Sequence, residues 1–152
     1  MPVRRDDPAR LLAAVNAQRA ALGDEPWSGR LSAEALGAGC ADAVLAAAEA
    51  GRPPEPEALR GAVRYLLGLL ARRAPGRAVE VRIPPYAAIQ CVPGPRHTRG
   101  TPPNVVETDP LTWVKLAAGR ISWTAAAADG VLAASGPRAD LSEYLPLAAA
   151  GA

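Results

Sequence analysis

The stretch Asn104–Ser135, NVVETDPLTWVKLAAGRISWTAAAADGVLAAS, changes its apolar period several times, and those changes decide the fold. NVVET is a short run of β-formers and reads as a strand. Asp109 then offers a helix N-cap, Pro110 takes the first helical position, and Leu111, Trp113, Val114 and Leu116 supply bulk until Gly119 stops the helix. Ser122 can cap a second short helix, WTAAAAD, ended by Gly130. VLAAS returns to extended chain, and Gly136 with Pro137 breaks it. The chain has three tryptophans and no phenylalanine. Trp113 and Trp123 both fall in this stretch, where they fill space that alanine would leave open.

Upstream the period of two is clearer. In AVEVRIP the residues Val79, Val81 and Ile83 alternate with Glu80 and Arg82, which predicts a half-buried strand; PPY makes a turn, and AAIQCV supplies a second strand to form a hairpin. Downstream, DLSEYLPL carries an Asp140 to Glu143 spacing that predicts a capping box and a last amphipathic turn or two.

Three helices precede the strands. Asp7 and Pro8 open the first, with Leu11, Leu12, Val15 and Leu22 on one face and Gly23 at its end. Ser32 caps the second, whose stripe is Leu36, Cys40, Val44 and Ala47, ending at Gly51. The GAGC run inside it places small residues where another helix can approach closely. Pro53, Pro54 and Pro56 remove donors and impose extended backbone, and they mark the boundary between a helical segment over residues 1–52 and a domain over residues 55–148. The third helix follows, with Leu59, Ala62, Val63, Leu66, Leu67 and Leu70 against a side bearing Arg60, Arg64, Arg72 and Arg73. Helices, strands, two helices, strand and final helix make an α+β order rather than the strict alternation of a dinucleotide-binding fold.

Composition narrows the function. The 17 basic and 15 acidic side chains give a net charge of +2 and are interspersed, so nucleic acid is not expected as a partner. No apolar run is long enough for a transmembrane segment, the amino terminus lacks a signal-peptide pattern, and Cys40 and Cys91 have no metal or redox spacing; a reducing cytoplasm is the expected location.

With these elements placed, the run from Asn104 through YLPL resembles the closing half of sterol carrier protein type 2 domains. It has a strand, an acidic residue opening an apolar helix, Gly followed by a basic residue, an alanine-rich helix, Gly before a strand, and a terminal helix. GRAVEVRIPPYAAIQC and GPRHTRGTPPNVVETDP are similar to a bacterial branch of that family, and the similarity covers Glu57 to Leu147. The resemblance implies a twisted, mainly antiparallel sheet covered by helices on one face, with an apolar tunnel that holds a lipid or another hydrophobic molecule. On that reading the candidate pocket residues are Val81, Ile83, Ile89, Trp113, Leu116, Trp123, Leu132, Tyr144 and Leu145. The sequence departs from the family in its short hairpin strands, its near-lack of aromatics and methionine, and its two leading helices, which are expected to pack over the carrier-like core.

Polar chemistry is sparse. Arg96, His97 and Arg99 share a loop with Thr101 and Asn104, and paired guanidinium groups there could hold a carboxylate or phosphate head group; the same loop also reads as a structural crossover with Arg99 bonding carbonyls or pairing Glu107. There is no GxSxG elbow, no phosphate-binding glycine loop and one histidine, which leaves poor means for a hydrolase or a zinc site. Related carrier-like domains end thiol-dependent isomerases whose helical bundle binds metal through histidines, but residues 1–74 contain none. The expectation is a non-enzymatic carrier of a lipid or fatty acyl compound with no metal or cofactor. Two alternatives stand beside it: an interaction scaffold with a filled core, for a partner protein or a homodimer, and an enzyme using His97 with Glu107 or Asp109.

Overall fold

A computed structural model describes residues 4–95 and 104–147. The elements are α1 (Pro8–Ala21), α2 (Ala33–Glu49), α3 (Pro56–Arg73), β1 (Val79–Ile83), β2 (Ala87–Cys91), β3 (Val105–Thr108), α4 (Pro110–Ala117), α5 (Trp123–Ala128), β4 (Leu132–Ser135) and a one-turn 3-10 helix at Ser142–Tyr144. The chain divides into two compact units, Arg4–Leu66 and the part from Leu67 onward, so the division falls within α3.

In the first unit, α1 packs on α2. Local chemistry sets both starts: the Asp7 carboxylate accepts the Ala9 N–H at 3.1 Å, and the Ser32 hydroxyl accepts the Ala35 N–H at 3.1 Å. The predicted stripe of α2 is fully buried at Leu36, Cys40, Val44 and Ala47. The glycines explain how a core poor in aromatics closes. A Cβ on Gly37 would lie 2.7 Å from the Tyr65 ring, one on Gly39 would lie 2.5 Å from the Trp27 ring, and one on Gly61 would lie 2.9 Å from Leu11. Each glycine therefore seats a larger side chain from another segment. The stripe of α1 differs from expectation, with Ala14 and Gln18 buried while Leu12 and Leu22 are only half-buried. Gln18 is tolerated inside because its side-chain oxygen accepts the Glu55 N–H at 2.8 Å.

The arginine side of α3 is also not simply a solvated face. Arg60 and Arg64 converge on Asp6 at 3.2 and 3.0 Å, and Arg64 donates to the Arg4 carbonyl at 2.7 Å. Asp6 thereby ties the segment before α1 to α3 within this unit.

In the second unit the sheet order is β2-β1-β3-β4, with β1/β2 and β3/β4 antiparallel and β1/β3 parallel. The alternation read in the sequence sets its two faces. Val79, Val81, Ile83, Ile89, Cys91, Val106, Thr108 and Leu132 form a buried face, whereas Glu80, Arg82, Ala88, Gln90, Val105, Glu107, Ala133 and Ser135 share the opposite, wetter face. Each large aliphatic on the buried face contributes about 1.5–3 kcal/mol by leaving water. The helical layer of this unit supplies Trp113, Val114, Leu116 and Ala117 of α4 and Ala126 of α5 to the interior. The fold is thus α+β, with one face of a mixed four-stranded sheet buried under helices, as the sequence predicts.

The end of the chain departs from prediction. The Asp140 side chain accepts the Ser142 N–H at 2.9 Å, and no side chain caps the 3-10 turn. The expected Asp140–Glu143 capping box does not form, because the carboxylate closes a local turn two residues on. Instead Arg73, in the last turn of α3, donates to the carbonyls of Tyr144 and Pro146 at 2.9 and 2.8 Å, and the Leu147 N–H bonds the Ala117 carbonyl at 2.7 Å.

Candidate functional site

The start of β3 is fixed by Asn104. Its Nδ2 donates to the Ala78 carbonyl at 2.9 Å, its Oδ1 accepts the Arg138 N–H at 2.8 Å, and its own carbonyl accepts the Glu80 N–H at 3.0 Å. This residue, placed by sequence reasoning in a ligand-binding loop, spends its side chain on backbone. At the other end of the strand, Asp109 caps α4 through the Thr112 N–H at 3.0 Å and binds the Thr112 hydroxyl at 2.6 Å. Its carboxylate is therefore a capping group, whereas the Glu107 side chain points from the exposed face.

The chain runs from α4 into α5, whose start is held by the Ser122 hydroxyl on the Ala125 N–H at 3.0 Å. It turns back at Gly130, and the Val131 N–H bonds the Ala126 carbonyl at 3.2 Å, while Thr108 Oγ1 donates to the Val131 carbonyl. These bonds place α5 beside β4, the edge strand of the sheet. Where they meet, a groove of about 560 Å³ is lined by Val105 and Glu107 of β3, Ala127 of α5 and all four residues of β4. Its geometry follows from the register. Val105 and Glu107 lie opposite Ser135 and Ala133 on the wetter face, while Leu132 and Ala134 point to the other face. The groove therefore takes in β3, β4 and α5 together, and small side chains help to open it: alanine at positions 127, 133 and 134 leaves space that larger residues would occupy.

Among the described residues the groove has one ionisable group, Glu107. Arg82, its register partner on β1, donates Nε to the Glu80 carboxylate at 2.8 Å, and both carboxylates raise the Arg82 pKa, chiefly the hydrogen-bonded Glu80. Two carboxylates thus share one guanidinium on this part of the sheet.

Of the nine predicted pocket residues, Leu132 lines the groove. Val81 and Ile83 are fully buried, and Ile89, Trp113 and Leu116 are nearly so. Trp123, Tyr144 and Leu145 are half-buried, and burial pushes the Tyr144 hydroxyl above its ordinary pKa. The head-group candidates Arg96, His97 and Arg99 lie outside the described residues. Sequence reasoning missed Glu107 and the three alanines as groove residues. In the sequence Glu107 reads as a partner for Arg99 or an acid–base group beside His97, and alanine carries no signal until the space beside it is known.

The two thiols have no acid–base role near neutrality: burial pushes Cys40 up to about 12 and Cys91 up to about 11. Among the described residues no three His, Cys, Asp or Glu side chains gather into a metal-binding group, and no helix is long and apolar enough to cross a membrane.

Comparison with known proteins agrees with this architecture. The family described as "Bacterial SCP ortholog", SCP standing for sterol carrier protein, matches residues 55–147. The match covers more than half of the chain, and the chain belongs to that bacterial sterol carrier protein-like family. No curated protein matches it. The family suggests a lipid-binding carrier role in general.

Proposed function

We propose that this family member is a non-catalytic carrier that holds a hydrophobic or amphipathic small molecule, a lipid or fatty acyl compound, with the apolar chain entering where α5 meets β4. Family membership carries the reading. The groove supports it physically: its volume of about 560 Å³ falls within the roughly 300–1,000 Å³ range of small-molecule sites, and its lining mixes apolar side chains with polar surface at Glu107 and Ser135. Each methylene taken from water contributes about 0.8 kcal/mol, so an acyl chain that buries about ten methylenes gains about 8 kcal/mol, from which the cost of association is subtracted. Leu132 and Ala127 are the proposed contacts at the mouth. The deeper candidates, Val81, Ile83, Ile89, Trp113 and Leu116, form the apolar layer toward which the chain points.

The test is native mass spectrometry of the purified protein together with displacement of a fluorescent acyl probe. A bound acyl compound, or probe binding that weakens in an Ala127→Phe variant, is the expected outcome. Absence of any bound lipid together with failure of the probe to bind would defeat the proposal. One observation favours a second reading, a scaffold with a filled core: Val81 and Ile83 have no accessible surface. That reading predicts no probe binding at all.

A further inference from the structure

We propose that the groove around β4 selects amphiphiles with a cationic amine head over fatty carboxylates of the same length. This rests on the carrier reading above and adds the chemical class of the head group. Leu132 and Ala134 point to one face of β4, and Glu107 and Ser135 share the other face with Val105 and Ala133, while Ala127 of α5 completes the lining. An amphiphile lying in the groove meets alanine, leucine and valine along its chain, and its head can sit beside the carboxylate and hydroxyl of Glu107 and Ser135. Among the described residues Glu107 is the only charged group lining the groove, and the neighbouring guanidinium of Arg82 is held 2.8 Å from Glu80. An ammonium head complements that charge and donates hydrogen bonds to both Glu107 and Ser135, a neutral alcohol gains only the hydrogen bonds, and a carboxylate meets like charge.

The experiment compares dodecylamine, dodecanol and dodecanoate as competitors of a fluorescent acyl probe, on the full chain and on Glu107→Gln. Position 107 is exposed, so the variant keeps the fold. The exposed ion pair is expected to make the amine about threefold tighter than the alcohol, with the carboxylate weaker than both. In Glu107→Gln, and in 1 M salt, where the Debye length falls to about 3 Å, the three should converge. A carboxylate that binds as tightly as the amine, or an order of affinity unchanged in Glu107→Gln, overturns the head-group inference while leaving the carrier reading intact. Failure of all three compounds and of the probe overturns both.

Discussion

Replacing Asn104 by alanine should be among the most damaging single changes in the sheet. The side chain is almost fully buried at 3% exposure, and its amide joins the segment before β1 to the segment after β4 through Ala78 and Arg138. Alanine leaves the Ala78 carbonyl without a partner next to a residue only 2% exposed, so water cannot readily replace the bond. An unsatisfied buried acceptor costs about 1–3 kcal/mol, and loss of the part-buried bond to the Arg138 N–H adds about 1 kcal/mol. A destabilisation of about 2–4 kcal/mol follows, which at roughly 2–4 °C per kcal/mol lowers Tm by about 5–15 °C. Asn104→Asp separates the two bonds. It keeps an acceptor for Arg138 but sets a carboxylate oxygen against the Ala78 carbonyl, so its folded pKa rises above the unfolded value. Protonation restores a donor, and the deficit of this variant relative to the parent should shrink as pH falls through that raised pKa. Urea unfolding followed by tryptophan fluorescence measures both variants. An alanine variant within 0.5 kcal/mol of the parent at unchanged m-value would refute the reasoning, because it would mean that the amide bonds add nothing to the sheet.

Further outcomes follow from the first unit and the thiols. Gly37→Ala should lose about 1–2 kcal/mol despite a gain of nearly 1 kcal/mol in helix propensity, since its Cβ would meet the root of the Tyr65 side chain; thermal melts check the sign. Asp6→Asn removes the charge that Arg60 and Arg64 share and should cost about 1–3 kcal/mol in denaturant unfolding, with little change if that site is fully hydrated. Cys40 and Cys91 should resist alkylation at pH 8 in the native protein and react in denaturant. Because their folded values lie above the ordinary 9, they favour folding fully below pH 9 and progressively less between pH 9 and about 12, and a Cys40→Ala variant should show a shallower loss in that window.

Where a residue's role depends on its neighbours along the chain, the sequence was a sufficient guide. Caps at Asp7, Ser32, Asp109 and Ser122, the proline break before α3, and the alternation of Val79, Val81 and Ile83 are local signals, and each appears in the structure. Roles that depend on distant partners were not legible. Gln18 lies on the buried stripe because of Glu55, Arg60 and Arg64 leave the solvated face because of Asp6, and Asn104 is a structural clamp because Ala78 and Arg138 meet it. The same limit hid the groove. Its shape comes from alanines in α5 and β4, and what alanine leaves open is set by a strand edge that only the tertiary fold exposes.

Glycine placement joins the family match to the helices that precede it. The match begins at residue 55, yet the first turns of α3 are already committed upstream, with Gly61 set against Leu11 and Cys40, and Tyr65 set against Gly37. A glycine in mid-helix costs about 1 kcal/mol relative to alanine, and its use at positions 37, 39 and 61 is repaid only if the close contacts it permits are formed. A chain ending its helical segment at residue 52 would keep that cost at Gly61 and lose the contacts. Residues 55–147 alone should therefore melt well below the full chain, by more than about 5 °C, since each lost kcal/mol lowers Tm by several degrees in a fragment of about this size. Equal melting temperatures would mean that α3 needs nothing from α1 and α2, and that the family-matched stretch is a folding unit by itself.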